Sequence, residues 1–213
     1  MKNDKPTNTV YLQGRVGSAP EYSHDLYGER FYEFKLNVPR LSEHLDVIPV
    51  TVSETLAASL KENDLIGVCG QFRSFNRPDG ERSRLILSVF AREIVEPQAD
   101  ANPNSAELIG YICKPPIYRT TPFNREICDV LLAVNRAYSK SDYIPCIAWG
   151  KNARLIKNAS VGQKLEVGGR IQSRQYTKRL DDGSAEIRTA YEFSIGCVEF
   201  LHKESEVAST SDD

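Results

Sequence analysis

The sequence lacks most of the features that enzymes, metalloproteins and membrane proteins depend on. Only three of its 213 residues are histidines, and its five cysteines are widely spaced without a C-x-x-C pair. This argues against a disulfide framework and against a zinc site. No nucleophile has a visible base and orienting partner, so the sequence predicts no catalytic residue, no metal and no cofactor. No apolar run approaches the ~18 residues that span a bilayer, and no secretory leader is visible, so we expect a cytoplasmic protein.

The sequence also lacks a strong excess of basic charge. Its formal net charge is −2, which argues against a uniformly basic nucleic-acid-binding protein. A net charge averages over tails and linkers, however, so a local basic groove is still allowed.

What the sequence does contain is a repeat. Nine positions recur in the second half at a constant offset of 96; the pairs are Leu12/Leu108, Gly14/Gly110, Pro20/Pro116, Tyr22/Tyr118, Val38/Val134, Arg40/Arg136, Asp46/Asp142, Ile48/Ile144 and Pro49/Pro145. A constant offset over this length indicates two copies of one domain. With the polar, proline-containing segment between the copies, it predicts domains at 8–95 and 106–202, a linker at 96–105 and a disordered acidic tail at 203–213.

Within each copy, short alternating runs indicate strands rather than helices. In Lys164 to Arg174, the residues Leu165, Val167 and Ile171 fall on one face, and polar residues fall on the other. Each copy has room for one helix, at Glu54 to Glu62 and at Asn152 to Asn158. The resulting order predicts an all-β fold of two tandem five-stranded OB-fold barrels, each with one short helix between strands 3 and 4.

Basic residues and aromatic rings alternate in the second copy, where single-stranded nucleic acid would be bound through phosphates and stacked bases. Arg170, Arg174 and Tyr176 share an outward face, and the same hairpin carries Lys178, Arg179 and Arg188. Tyr143 and Trp149 share one face of another strand. Those two rings are either stacking platforms or a cap over the end of the barrel.

The stretch from Tyr143 to Tyr176, which contains IPCIAWGKNA and VGQKLEVGGRIQSRQY, resembles the bacterial single-stranded DNA-binding protein family. The resemblance implies sequence-tolerant binding of single-stranded DNA in replication, recombination or repair, without catalysis. It implies base stacking by Tyr138, Tyr143, Trp149 and Tyr176. Because the family works as four barrels, two barrels per chain imply a homodimer, associated with the bacterial nucleoid or with a mobile element.

The first copy departs from this pattern. Val47 and Ser53 replace Tyr143 and Trp149, and only Phe75 is left as an obvious platform. Phe75 either stacks a base or lies over its own hairpin. We therefore expect unequal halves, with most of the stacking in the second. The predicted phosphate-binding residues of the chain are Arg170, Arg174, Lys178, Arg179, Arg188, Lys151, Arg73, Arg77 and Arg84.

Two further hypotheses stay open at this level. One is a protein-interaction module with weak or no nucleic-acid binding, of the kind represented by primosomal replication protein N. The other is an RNA ligand, because stacking platforms do not distinguish RNA from DNA. The tail ends Ser209 to Asp213 without the apolar tip that is usual in the family, which puts docking of partners through the tail in doubt.

Overall fold

The computed structural model describes residues 5–40, 42, 44–79, 82–179 and 183–201. In these ranges each half contributes six strands and one short helix. The elements of the first half are β1 (Asn8–Val16), β2 (Glu21–Leu26), β3 (Glu29–Pro39), β4 (Leu45–Ser53), α1 (Glu54–Ala57), β5 (Leu65–Asp79) and β6 (Arg82–Val95). Those of the second half are β7 (Asn104–Ile112), β8 (Ile117–Thr120), β9 (Glu126–Arg136), β10 (Lys140–Trp149), α2 (Gly150–Ile156), β11 (Lys164–Arg179) and β12 (Ala185–Leu201).

Five strands of each half close into a barrel. Strands β3, β4, β6, β5 and β1 are neighbours in that order, and pairing of β1 with β3 closes the ring. The second half repeats this with β9, β10, β12, β11 and β7. In each ring the helix lies between the third and fourth strands along the chain. The prediction of an all-β protein with two OB-fold barrels is confirmed.

The count of five strands per half is one too low. The additional strands, β2 and β8, pair only with β3 and β9 and extend from the barrels as hairpin arms. Neither strand has a buried residue. Without a buried face there is no alternation of apolar and polar residues, and the sequence therefore carries no strand signal there.

Both helices differ from their predicted spans. The first ends at Ala57 rather than at residue 62, and the chain then passes through turns, one of them at Asn63 with a φ of 72°, before β5 begins at Leu65. The second begins at Gly150, directly after Trp149, and ends at Ile156. Neither of these described helices is long and apolar enough to cross a membrane.

The inward faces of the barrels follow the predicted alternation. Leu165, Val167 and Ile171 are buried in the second barrel, as are their counterparts Ile66, Val68 and Phe72 in the first. A bulge interrupts each long hairpin at the same place, next to Gly70 and next to Gly169. A Cβ atom on Gly169 would lie 2.1 Å from the carbonyl oxygen of Ser194, so the backbones approach too closely for any other residue.

The two barrels share one continuous sheet. Strand β1 pairs antiparallel with β7, which places Tyr11 opposite Ser105. The segment 96–103 forms no strand, whereas Asn104 and Ser105, expected in the linker, already belong to β7. The domain limits at 8–95 and 106–202 stay predictions. The proposed tail at 203–213 lies outside the described residues.

Two buried asparagines make the same pair of backbone contacts, one within each half. The Asn8 side chain bonds to both the N–H and the carbonyl oxygen of Phe72, at 2.9 and 2.7 Å. Asn104 bonds to the same two backbone groups of Ile171, at 2.9 and 2.7 Å. The junction itself is two-fold symmetric in the register of β1 and β7, where Asn8 lies opposite Leu108 and Leu12 lies opposite Asn104.

Candidate nucleic-acid interface

All five aromatic rings predicted to stack bases lie at the protein surface. Tyr138 is 94% exposed in the turn between β9 and β10, while the exposure of Phe75, Tyr143, Trp149 and Tyr176 lies between 37% and 47%. In β10 the side chains alternate as expected, with Tyr143 and Trp149 outward and the intervening Ile144, Cys146 and Ala148 buried. The two β10 rings are therefore half open to solvent, the arrangement that base stacking requires.

Trp149 and Arg174 line a cavity of about 660 Å³ on the outer face of the second barrel, which we call the second-half cavity. Its other charged lining residues are Lys114, Arg119, Asp129 and Glu192. The Arg119 guanidinium lies 2.9 Å from the Asp129 carboxylate, and the Gln172 amide donates to Glu192 at 2.6 Å. The cavity therefore combines the Trp149 ring with three cations and two carboxylates.

Between the two long hairpins lies a groove of about 600 Å³, which we call the central groove. It brings together predicted residues from both copies, namely Arg77 and Arg84 from the first half and Tyr176 and Arg188 from the second. The Arg188 guanidinium is bonded to Glu186 at 2.7 Å. Sequence analysis assigned these residues to separate hairpins, and the fold places them in one groove.

The first barrel carries a cavity of about 460 Å³ at the position that corresponds to the second-half cavity; we call it the first-half cavity. Arg73, Phe75 and Arg77 line it, together with Phe90 and with Arg136 from the second half. No aspartate or glutamate is found among its described lining residues. This cavity therefore combines three guanidinium groups with two aromatic rings.

Arg73 is held in place by a ring and a neutral side chain. Its guanidinium carbon lies 3.8 Å from the centre of the Phe90 ring, and two of its nitrogens donate to the Gln71 side chain at 2.9 and 3.3 Å. Burial, reinforced by the charge of nearby Arg136, lowers the pKa of Arg73 to about 10. The group is still charged at neutral pH, but it lies in surroundings that disfavour an uncompensated cation.

Neighbouring cavities among these three share a lining residue. Arg77 lines both the first-half cavity and the central groove, and Pro145 lines both the central groove and the second-half cavity. Together they form a row that crosses both barrels on one side of the protein, which we call the cavity row. A flexible polyanion could follow this row from one half to the other.

Several predicted residues lie outside the described lining of the row. They are Tyr138, Tyr143, Lys151, Arg170, Lys178 and Arg179. The Arg170 guanidinium is occupied elsewhere, because it donates to Asp46 of the first half at 3.2 Å and to Gln172 at 3.2 Å. Lys178 and Arg179 belong to the far end of β11, and Lys151 belongs to α2.

A reciprocal pair of buried aspartates connects the halves beneath the row. Asp46, 1% exposed, accepts the Ser173 N–H at 2.7 Å and is bonded by two nitrogens of Arg40, at 2.5 and 2.8 Å. Asp142, also 1% exposed, accepts the Ser74 N–H at 2.8 Å and pairs with Arg136 at 3.3 Å. Burial raises the pKa of Asp142, while the Ser74 N–H and the two nearby arginines oppose that shift.

Sequence reasoning did not assign these groups a role, although a signal existed. Both Asp46/Asp142 and Arg40/Arg136 recur in the repeat, and a matched acid with a matched base indicates a structural pair. Phe90 carried no comparable signal. Among the described residues no group of histidine, cysteine, aspartate or glutamate could hold a metal ion.

Comparison with known proteins gives matches mainly to the second half. Residues 103–201 match the model of the Single-strand binding protein family. Single-stranded DNA-binding protein 1 of Staphylococcus aureus (strain COL) is 36% identical over 80 residues, which cover 34% of this chain and 48% of that protein. The chain thus spans about half the length of the curated relatives it matches.

Two solved structures are also similar. The wild-type single-stranded DNA binding protein from Thermus aquaticus has a TM-score of 0.68 at 20% identity, covering 92% of this chain and 93% of that chain. This likeness concerns the fold alone. The N-terminal domain of PriB protein from Thermoanaerobacter tencongensis is 46% identical over 43% of this chain and 98% of that chain, with a TM-score of 0.37, which is too low to support an argument.

Proposed function

We propose that this chain binds single-stranded DNA with little sequence preference. The premise is that residues 103–201 form a domain of the single-strand binding protein family. It would cover exposed strands during replication, recombination or repair, and would not be an enzyme. The proposal extends to the cytoplasm as the place of action and to a homodimer with four barrels as the working assembly.

The observation that carries the proposal is the cavity row. Trp149 and Tyr176 line it together with Arg73, Arg77, Arg84, Arg174 and Arg188. Rings with an open face stack on any base, at about 1–3 kcal/mol per base, and guanidinium groups hold phosphates. Because aromatic rings and guanidinium groups occur along the row on both barrels, the row suits a long strand better than it suits a small molecule.

The same composition supports tolerance of sequence. Stacking uses the flat face that all bases share, and a phosphate contact does not depend on which base is attached. We assign base stacking to Trp149 and Tyr176 in the row, with Tyr138, Tyr143 and Phe75 as further platforms. We assign phosphate contacts to the arginines of the row, with Lys151, Lys178 and Arg179 as further contacts outside its described lining, and we assign Arg170 to holding Asp46.

The proposal predicts salt-sensitive binding to single strands. Fluorescence anisotropy of a labelled oligo-dT of about 30 nucleotides, long enough for two OB folds, should show saturable binding. The logarithm of its association constant should fall linearly with the logarithm of the salt concentration, by about 0.7 per phosphate contacted. A duplex of equal length should bind much more weakly.

Two other results would contradict this proposal. Absence of binding to oligo-dT at low salt, combined with concentration-dependent self-association, would favour the protein-interaction module. Tighter binding to oligo-rU of the same length than to oligo-dT would make RNA the ligand instead.

A further inference from the structure

The two barrels differ in the charge of their equivalent cavities. The second-half cavity contains Asp129 and Glu192 beside its arginines, whereas no acid is found among the described lining residues of the first-half cavity. The difference in charge arises at one pair of facing residues in each long hairpin. Gln172 lies opposite Glu192 in the second half, whereas Arg73 lies opposite Ser88 in the first. An anion would therefore meet no carboxylate among the described lining of the first-half cavity, whereas in the second-half cavity it would meet two carboxylates beside Lys114, Arg119 and Arg174.

Among the residues that the structure describes, no anion is hydrogen-bonded to Arg73. Its described hydrogen bonds go to the neutral Gln71 side chain, and its flat face rests on Phe90. Asp142 attracts it only from a distance, because that carboxylate is already bonded to Arg136 and to the Ser74 N–H. A partly buried cation without a bonded anion is costly, and a phosphate in the cavity would compensate it.

The two phenylalanine rings of this cavity each have an arginine guanidinium close to them. Phe90 has the Arg73 guanidinium at 3.8 Å from its centre, and Phe75 has the Arg77 guanidinium at 5.7 Å. A ring with a guanidinium group above it orients that arginine through a cation–π contact. The cavity is therefore built to present guanidinium groups, whereas Trp149 presents a ring without such a described cover.

The cavity is also shared between the halves. Arg136 comes from the second barrel, and its partner Asp142 is fixed by the Ser74 N–H of the first. The joined pair of barrels is thus required to complete the set of three arginines.

We propose that the first-half cavity is a phosphate-binding site for the backbone of the single strand, formed by Arg73, Arg77 and Arg136, and that the two halves divide the work. The first half mainly holds phosphates, and the second half provides most of the base stacking. This inference rests on the proposed function and adds to it a site, a ligand group and a role for the half that lacks the family's rings.

The test compares a double variant with a control that removes one arginine outside the three cavities. Arg73→Gln with Arg77→Gln should weaken binding to labelled oligo-dT of about 30 nucleotides by at least about tenfold near physiological salt. The slope of the logarithm of the association constant against the logarithm of the salt concentration, here called the salt slope, should also become shallower by about 1.4. This is about 0.7 for each lost phosphate contact. Quenching of Trp149 fluorescence at saturation should be unchanged, because base stacking occurs in the other half.

Three further variants make the result specific. Arg15→Gln removes an exposed arginine that lies outside all three cavities, and it should bind like the wild type. Arg73→Lys keeps the charge and should recover most of the slope. If the double variant unfolds at a lower temperature than the wild type, the single variant Arg77→Gln, at an exposed position, should still lower the salt slope by about 0.7.

The outcomes separate the two proposals. A double variant with wild-type slope and affinity, while the wild type binds oligo-dT, overturns the phosphate site and leaves the proposed function standing. A wild type that does not bind oligo-dT overturns both. An equal loss of affinity in Arg15→Gln would also count against a site in this cavity.

Discussion

Replacing Asp46 with alanine is expected to lower the free energy of unfolding by about 3–5 kcal/mol, the usual cost of removing one partner from a buried ion pair. The carboxylate is 1% exposed and is bonded by Arg40 and Arg170. It also accepts the Ser173 N–H, which would be left buried without an acceptor. Urea unfolding followed by circular dichroism measures the change.

Controls distinguish the loss of this network from a general effect of losing an aspartate. Asp100→Ala removes an exposed carboxylate from the segment between the barrels and should change stability by less than about 0.5 kcal/mol. Asp142→Ala should resemble Asp46→Ala, because the network repeats across the junction. If Asp46→Ala unfolds within about 1 kcal/mol of the wild type, the two halves are not held together by these aspartates.

The combined change of Trp149 and Tyr176 to alanine should weaken oligo-dT binding by about 30-fold or more, because each stack contributes about 1–3 kcal/mol. Both rings line the cavity row from the second half, and both are more than one-third exposed. The slope of binding against salt should stay near the wild-type value, since no phosphate contact is removed. Fluorescence anisotropy with labelled oligo-dT measures both quantities.

A matched ring outside the row provides the control. Phe123→Ala removes a ring that is 87% exposed and lines none of the three cavities, so binding should be unchanged. Trp149→Phe with Tyr176→Phe keeps two aromatic faces and should retain most of the affinity. Undiminished binding by the double alanine variant would remove base stacking by the second half from the mechanism.

The repeat made much of the architecture predictable from sequence. A constant offset fixed two equivalent domains, and alternation along residues 143–149 and 164–171 assigned inward and outward faces that the burial pattern confirms. These signals are local, because the side-chain period of a strand depends only on neighbouring residues. The short strands β2 and β8 escaped prediction because they have no buried face.

The site was less predictable because it depends on contacts between distant parts of the chain. The pair Arg170 and Asp46 is separated by 124 positions, and it forms only because β1 pairs with β7 and joins the barrels. Likewise, Phe90 lies under Arg73 because of the register between β5 and β6, which a bulge at Gly70 shifts by one residue. Neither sequence spacing nor residue type encodes these juxtapositions.

The most direct measurement of the central claim is a titration of the single tryptophan. Trp149 is the only tryptophan in the chain, so its fluorescence reports on the second-half cavity alone. If a strand runs along the cavity row, oligo-dT should quench this fluorescence to saturation, with an affinity that decreases as salt rises. Binding of oligo-dT that is detected by anisotropy but leaves Trp149 fluorescence unchanged would contradict the account.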